Sequence, residues 1–290
     1  MRLKDRVESG VFTTLIEVFP PNFSAQAAKE PLIGIRQKTR DLIARVARIS
    51  DLADAILVAD MKDTGKLGLA SVHTAALLKE ELGVEVIPVL PARDMNRKGI
   101  RTSFLTALSS GIESVALVWG DRFMEDEGTK NVYDFRSLAE VVKDMRALSD
   151  RADIDASILC PVDISSLPTA RGARIAQARL RSGANFLLAQ PPTSDVAVTL
   201  ESQQEILRES KMQAKVLPNV FPFRSLEDVR ACRARFGWNI PNALDIIAEG
   251  GERSLLKEAR SVVDSLRGRK FPGVYVSTRG RPELAKFILG

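Results

Sequence analysis

The chain has 290 residues, of which 45% are hydrophobic and 27% are charged, and its formal net charge is +5. This composition is typical of a globular protein with a large core. No run of about 18 apolar residues occurs that could span a membrane, and the N-terminal MRLKDRVESG lacks the apolar segment of a secretory signal. We therefore expect a cytoplasmic protein that makes no membrane contact.

Histidine and cysteine are scarce, since the chain holds only His73, Cys160 and Cys232. A zinc site built from these residue types is therefore nearly excluded. Catalysis by a Ser-His-Asp or Cys-His arrangement is excluded as well, unless His73 serves. His73 lies in an amphipathic helical pattern, where an ordinary position on the helix face is expected.

The basic residues are dispersed, with one local cluster in RGARIAQARLRSG (171–183). At helical spacing such a cluster is most typical of a solvated helix face. Few aromatic residues lie among these arginines, so base stacking on a single strand is not supported. We expect no nucleic-acid partner.

Short apolar runs alternate with helical patterns along the whole chain. Eight runs are predicted as strands: 12–19, 55–59, 85–90, 114–119, 155–160, 185–190, 215–220 and 273–278. The helical patterns between and after them cover 35–50, 68–82, 99–111, 134–150, 169–183, 198–210, 226–237, 244–250, 252–268 and 283–289.

This alternation predicts a parallel sheet, because parallel strands need crossover connections that are usually helical. Eight such units fit a (β/α)8 TIM barrel, a fold that typically takes about 250 residues. A doubly wound open sheet is the alternative, but no strand is followed by a GxGxxG turn. We predict a single α/β barrel domain over residues 1–290.

Polar residues follow most of the predicted strands, where a barrel of this type carries its active site. The residues at these strand ends are Asp60, Lys62, Asp63, Arg93, Asp94, Asn96, Trp119, Asp121, Cys160, Asp163, Gln190, Asn219, Ser277, Thr278 and Arg279. A divalent metal held by acids from this set is a minor alternative, and no metal site is predicted. Lysine is absent from the strand interiors, which disfavours a Schiff-base mechanism.

Glu17 stands near the centre of the first strand, where an unpaired carboxylate is costly to bury. Because side chains alternate across a strand, Glu17 shares a face with Leu15 and Phe19, and Gln190 shares one with Leu188. If those faces point into the barrel, Glu17 and Gln190 converge with Asp121. A partly desolvated carboxyl there has a raised pKa and can act as a general acid. A salt bridge to a barrel arginine is the alternative for Glu17.

Several segments, in order, resemble the methylenetetrahydrofolate reductase family of (β/α)8 barrels. They are IEVFPP (16–21), PVLPARDMNRKGI (88–100), SGIESVALVWGD (110–121), RLRSGANFLLAQPP (179–192), LPNVFPFRSLEDVR (217–230) and IPNAL (240–244). Each motif is weak by itself, but their order over nearly the whole chain makes the similarity specific.

The resemblance implies a reduction of the methylene bridge of a folate to a methyl group, with NADH or NADPH as the donor and, in most members, FAD as the carrier. It implies that Glu17 is the general acid that helps open the five-membered ring. It implies that Asp121 favours the cationic iminium and that Gln190 hydrogen-bonds the pterin. Asn219 is a further candidate substrate-binding residue.

The candidate cofactor-binding residues are Asp60, Arg93, Asp94, Trp119, Gly120, Cys160 and Asp163. Here the family pattern is altered: its His-Leu-Thr-Cys is Val-Leu-Pro-Ala (89–92), its Arg-Gly-Asp is Trp-Gly-Asp (119–121), and its Tyr-Pro-Glu-x-His is Cys-Pro-Val-Asp (160–163). Three routes therefore stay open: direct hydride transfer with Trp119 in the flavin's place, FAD bound through other contacts, or electrons from a partner subunit.

Three functions compete on these residues. The first is a reductase of methylenetetrahydrofolate or a related methylene-pterin such as tetrahydromethanopterin. The second is a non-catalytic subunit or folate-binding barrel, in a homo-oligomer or with a partner. The third is an unrelated metal-dependent lyase on the same fold.

Overall fold

Eight parallel strands form a closed barrel in the computed structural model, which describes residues 2–24, 32–60, 66–123, 129–190, 196–210, 215–236, 246, 250–251, 253–278 and 280–290. The barrel strands are β1 (Thr13–Val18), β3 (Ala55–Val58), β5 (Val86–Pro91), β6 (Ser114–Val118), β7 (Ser157–Asp163), β8 (Phe186–Gln190), β9 (Lys215–Val220) and β10 (Gly273–Val276). The short β2 (Asn22–Ser24) and β4 (Lys66–Gly68) pair antiparallel. Neighbouring barrel strands follow chain order, and β1 closes the ring by pairing with both β3 and β10.

Helices alternate with these strands, which confirms the predicted (β/α)8 TIM barrel. They are α1 (Leu3–Glu8), α2 (Leu32–Ala47), α3 (Ser71–Leu82), α4 (Arg97–Ser109), α5 (Leu138–Arg151), α6 (Ala170–Arg181), α7 (Val196–Ser210), α8 (Leu226–Phe236), α9 (Arg253–Gly268) and α10 (Ala285–Leu289). The predicted helix over 244–250 falls largely outside the described residues. Side chains cap α4, α5 and α6, where Asn96, Ser137 and Thr169 each accept a hydrogen bond from a first-turn amide.

The strands separate two cores. The outer core between strands and helices includes Ile16, Val18, Ile56 and Leu187. The inner core fills the barrel and includes Leu15, Leu57, Ile87, Leu159, Phe186, Leu188 and Tyr275. Because successive strand residues alternate between these cores, Glu17 and Gln190 lie on the inner faces of β1 and β8.

Helix α1 was not predicted, because a single turn and a half offers too little periodicity to detect. Its Leu3 and Val7, four residues apart on one face, join the inner core. Arg6 ion-pairs with Asp54, which precedes β3, so α1 covers the amino-terminal end of the barrel.

Surface positions agree with two expectations from the sequence. His73 is exposed on α3, and Arg171 and Arg174 are exposed on α6. Within the described part of the chain, every helix is too short or too polar to cross a bilayer.

Candidate active site

Glu17 lies at the inner, carboxyl-terminal end of β1 and is only 8% exposed. Two hydroxyl groups from the adjoining β10 segment hold its carboxyl. The phenolic hydroxyl of Tyr275 donates to Oε2, and Ser277 Oγ donates to Oε1 at 2.7 Å. Thr278 Oγ1 donates to the Glu17 carbonyl oxygen at 2.6 Å and so fixes the backbone. The alternative of a salt bridge to a barrel arginine is not observed among the described residues.

Burial raises the pKa of Glu17 above its ordinary value, although the hydrogen bonds from Tyr275 and Ser277 oppose this effect. Burial and the Glu17 charge raise the pKa of Tyr275 well above its ordinary value too, so the phenol keeps its proton. The site thus combines a carboxyl that holds its proton more firmly than a solvated one with two neutral hydrogen-bond donors.

Asn219 lies on the inner face of β9, beside Tyr275 across the β9–β10 pair. Its side chain is completely buried, and within the described structure neither Nδ2 nor Oδ1 has a hydrogen-bond partner. Leaving a buried amide unpaired costs about 1–3 kcal/mol. An amide in this state offers a donor and an acceptor to a polar group that enters the barrel mouth. We call Glu17, Tyr275, Ser277 and Asn219 the Glu17 cluster.

Gln190 and Asp163 are register partners on β8 and β7. Gln190 is half-buried on the inner face, so its amide can reach a ligand at the mouth. Asp163 is exposed, and its Oδ1 accepts from the backbone N and Oγ of Ser165 at 3.0 and 2.6 Å. Its carboxylate therefore stabilises the turn after β7, although its position at the mouth is as predicted.

Arg93 is the organising residue at the ends of β3, β5 and β6 and is 1% exposed. Its guanidinium contacts Asp94 through Nε at 2.5 Å and Asp60 through Nη2 at 2.9 Å. Nη1 donates to the Asp121 carbonyl oxygen at 3.1 Å, and the group lies 4.3 Å from the centre of the Phe123 ring. Burial lowers the pKa of Arg93, but the pairing with Asp94 and Asp60 outweighs burial and raises it, so the group is always charged.

Gly120 makes this packing possible. Its φ is +83°, and a Cβ built on it would come within 2.8 Å of the Arg93 Cβ. Only glycine adopts this conformation without strain, and only a hydrogen fits the space. Asp121 follows with an exposed carboxylate, and its carbonyl is held by Arg93. We call Asp60, Arg93, Asp94, Gly120 and Asp121 the Arg93 cluster.

Trp119 packs against the outer core and stacks on Tyr133, with ring centroids 4.6 Å apart and planes 9° from parallel. Tyr133 in turn donates from its hydroxyl to the Gly120 carbonyl oxygen at 3.2 Å. The indole is thus part of the wall that supports the loop after β6. This position does not support the expectation that Trp119 fills the space of a flavin.

Cys160 does not lie at the mouth, contrary to the expected strand end. Strand β7 continues through Pro161 to Asp163, so Cys160 is an interior residue of the strand. Its thiol is fully buried in the outer core, and burial raises its pKa to about 12. The thiol therefore does not face the barrel mouth, where the predicted cofactor contact would require it to be. The proline at 161 made the strand appear to end too early.

Ten of the eleven predicted site residues lie at or beside the carboxyl ends of the strands, and they divide between two sides of the mouth. The sequence did not indicate a role for Tyr275, which lies inside the last predicted strand (273–278). Its partnership with Glu17 depends on the pairing of the first and last strands. The alternation of side chains along β10 could have indicated this residue, because it puts Tyr275 and Ser277 on one face of the strand.

These features define a (β/α)8-barrel protein whose mouth holds a buried carboxyl and, among the described residues, one buried amide without a hydrogen-bond partner. The sequence pattern of the Methylenetetrahydrofolate reductase family matches residues 2–249. The chain therefore belongs to this family. No curated protein sequence is similar enough to match.

Solved structures with the same fold include an uncharacterized protein from Clostridium thermocellum that binds two copies of 5-methyl-5,6,7,8-tetrahydrofolic acid. It is 13% identical, with 98% of each chain covered and a TM-score of 0.67. Phosphonopyruvate hydrolase, in complex with oxalate and Mg²⁺, is 12% identical over 99% of this chain and 84% of that one, with a TM-score of 0.52. 2,3-Dimethylmalate lyase is 14% identical, covers 94% and 88%, and has a TM-score of 0.50. At these identities the likeness concerns the fold.

The metal-dependent lyase alternative gains no support from the geometry. Within the ranges that the structure describes, no three His, Cys, Asp or Glu side chains are grouped to hold a metal ion. Asp60 pairs with Arg93, while the more distant candidate Asp63 lies outside the described residues.

Proposed function

We propose that the protein is a methylenetetrahydrofolate reductase. It would transfer hydride from NADH or NADPH to 5,10-methylenetetrahydrofolate, or to a related methylene-pterin, and give the methyl form. The observation that carries the proposal is Glu17, a buried carboxyl with a raised pKa at the mouth of a barrel of this family. A carboxyl in that state is suited to donate a proton near neutral pH.

The reaction divides into a proton transfer and a hydride transfer. Glu17 gives its proton to the amine nitrogen that leaves the methylene carbon as the five-membered ring opens, and the carboxyl becomes a carboxylate. The N5 iminium that remains is cationic, and the Asp121 carboxylate favours it electrostatically. Hydride from the nicotinamide then adds to the methylene carbon and completes the methyl group.

Gln190 and Asn219 would hold the pterin during these steps. Both lie on inner strand faces, Gln190 at the end of β8 and Asn219 on the adjoining β9. The pterin ring presents an edge of alternating donors and acceptors, which side-chain amides can match. Binding there would give the Asn219 amide the partners that it lacks.

The candidate cofactor residues do not fit the phosphates of a resident FAD. Arg93 is their one cation, and it is already ion-paired with Asp60 and Asp94. Three of the remaining candidates carry carboxylates, which repel phosphate, and the Cys160 thiol faces the outer core. We therefore derive the reaction with the nicotinamide as a second substrate that donates hydride directly.

The poor fit between the candidate cofactor residues and FAD also favours one competing function. This is a folate-binding barrel without its own redox chemistry, acting as an oligomer or with a partner subunit. Such a protein would bind the methylene-folate and turn over neither NADH nor NADPH. An absorbance spectrum of the purified protein helps to separate these cases. A colourless protein that turns over supports direct transfer, whereas flavin bands would contradict it.

The decisive experiment compares Glu17→Gln with Glu85→Gln in NADH- or NADPH-dependent reduction of methylenetetrahydrofolate. Glu85 is a matched control, because burial raises its pKa and Ser114 Oγ donates to it at 2.8 Å, but it lies at the opposite end of the barrel. We expect Glu17→Gln to lose about 10²- to 10⁴-fold in kcat with an unchanged circular dichroism spectrum. Glu85→Gln should stay close to the wild type.

Two outcomes would overturn the proposal. Full activity in Glu17→Gln would show that Glu17 is not the acid. Tight folate binding by the wild-type protein without turnover on either nicotinamide would favour the binding barrel.

A further inference from the structure

We propose that Tyr275 is a positioning residue for Glu17 and that, together with Ser277, it receives the carboxylate that forms when Glu17 donates its proton. The inference rests on the proposed function and assigns a role to a residue outside the family motifs described above. In this role Tyr275 does not touch the reacting atoms and acts through Glu17.

The geometry places both hydroxyls at the carboxyl group itself. Tyr275 and Ser277 share the inner face of the β10 segment, and β10 pairs with β1, so the hydroxyls meet Glu17 from one side. Each hydroxyl donates to a different carboxyl oxygen. Tyr275 is 2% exposed and packs in the inner core, so its ring is held before the reaction begins.

Among the described residues, which do not include Arg279, no charged group shares this task. On β3, Leu57 is the register partner of Glu17, while Asp60 beyond it is paired with Arg93. On β9, Asn219 is neutral. The charges of α1 lie at the other end of the barrel, as the Arg6 ion pair with Asp54 shows. Glu283, in the short 3₁₀ turn near β1, is exposed to solvent.

A carboxylate formed in this setting has few means of stabilisation. Its charge is buried, and the described residues around it supply only the Tyr275 and Ser277 hydroxyls as donors. Hydrogen bonds to a charged acceptor are shorter and stronger than hydrogen bonds to a neutral one. Because the charge exists only after proton transfer, these bonds strengthen as the reaction proceeds and favour proton donation.

The proton balance is simple. The Glu17 O–H proton moves to the amine nitrogen of the substrate, and the electron pair of that bond stays on the carboxylate. Tyr275 and Ser277 keep their own protons throughout. The raised pKa of Tyr275 agrees with this, since a phenol that ionised could no longer donate.

Tyr275→Phe tests the inference, because it removes the hydroxyl and keeps the ring that packs in the core. With the carboxylate less stabilised, Glu17 becomes a weaker acid. We expect kcat at acidic pH to fall about tenfold with KM unchanged, and the basic limb of the kcat profile to move to higher pH. Ser277→Ala should change both quantities in the same direction.

Tyr133→Phe is the matched control, because its hydroxyl donates to the Gly120 carbonyl in the Arg93 cluster. Its basic limb should keep the wild-type midpoint. If Tyr275→Phe lowers kcat equally at every pH and leaves the midpoint in place, Tyr275 is merely structural and the inference is overturned.

An infrared titration tests the same inference without any turnover. The carbonyl stretch of protonated Glu17 is identified as the band that Glu17→Gln removes. In Tyr275→Phe this band should persist to higher pH than in the wild type. An unchanged midpoint would overturn the role of Tyr275 even in an active reductase, and a shifted midpoint in an inactive protein would retain it while the reductase proposal fails.

Discussion

The two sides of the barrel mouth treat their carboxyl groups in opposite ways. In the Glu17 cluster a single carboxyl is buried among neutral partners, and burial raises its pKa. In the Arg93 cluster a half-buried carboxylate, Asp60, and an exposed one, Asp94, share one buried guanidinium. The first side holds a carboxyl that binds its proton more firmly than a solvated one, while the second side pairs carboxylates with a cation.

The two clusters also differ in how they affect the stability of the fold. Arg93 joins the ends of β3, β5 and β6 through its contacts with Asp60, Asp94 and the Asp121 carbonyl, so its contribution is to the shape of the mouth. The Glu17 cluster instead contains groups that destabilise the folded state, namely a buried acid and, among the described residues, an amide without a partner. Groups that lower stability are commonly retained at functional sites.

Loss of Arg93 should give the largest change in stability. Arg93→Met removes the buried guanidinium that pairs with Asp60 and Asp94, and we expect the free energy of unfolding to fall by about 2–3 kcal/mol, because its charge-assisted hydrogen bonds are lost. Arg101→Met removes a more exposed arginine from Asp144 and should cost less than about 1 kcal/mol. Denaturant titration measures both, and equal losses would contradict the central role given to Arg93.

A side chain at position 120 should disturb the same cluster from within. Gly120→Ala introduces a Cβ within 2.8 Å of the Arg93 Cβ at a φ of +83°, and we expect a loss of about 1–3 kcal/mol. Gly10→Ala has a similar φ of +76° but open space around it, so it isolates the cost of the backbone. A loss no greater than that of Gly10→Ala would show that contact with Arg93 is unimportant.

Replacement of Asn219 should stabilise the protein, whereas the two preceding substitutions should destabilise it. Asn219→Leu replaces a buried amide that has no partner among the described residues with an apolar group of the same branched shape, so the free energy of unfolding should rise by about 1 kcal/mol. Folate binding, followed by calorimetry, should weaken about tenfold. Asn131→Leu is the contrast, since its amide is bonded to both backbone groups of Phe123 and its loss should destabilise the protein. Unchanged folate affinity in Asn219→Leu would exclude it from the site.

The smallest effect concerns pH. Because the folded pKa of Glu17 is raised, its contribution to stability is fully present below the ordinary carboxyl pKa and is lost as pH rises through the folded value. Glu17→Gln has no carboxyl group to ionise at this position, so the mutant does not lose stability in this way as the pH rises. We expect its Tm to exceed that of the wild type by roughly 2–4 °C at alkaline pH and to approach it in acid, as scanning calorimetry can measure. A constant difference at all pH values would argue against a raised pKa.

The positions of many residues at the barrel mouth were predicted from the sequence. A few residues show why the remaining positions were not. Strand alternation showed which residues share a face with Glu17 and with Gln190, and the rule that strand ends form the site gave their position. The core clusters of the structure then showed that these faces point inward. Cys160 was misplaced because Pro161 looked like a terminator, whereas β7 continues past it. The ion pairing of Arg93 with Asp60 was not foreseen, because the two are 33 residues apart and their approach depends on how β3 and β5 align.

The sequence by itself determined the barrel, because eight apolar runs alternating with amphipathic helices can bury their surfaces in few other ways. It also determined which strand residues share a face, since that follows from a period of two. Only the tertiary structure decided what Glu17 meets there. Tyr275 and Ser277 lie 258 and 260 residues away in the chain, and they reach Glu17 because ring closure makes the first and last strands neighbours. The local sequence pattern shows which residues share a strand face. Which side chains meet across the barrel depends on the closure of the barrel and on the register of its strands.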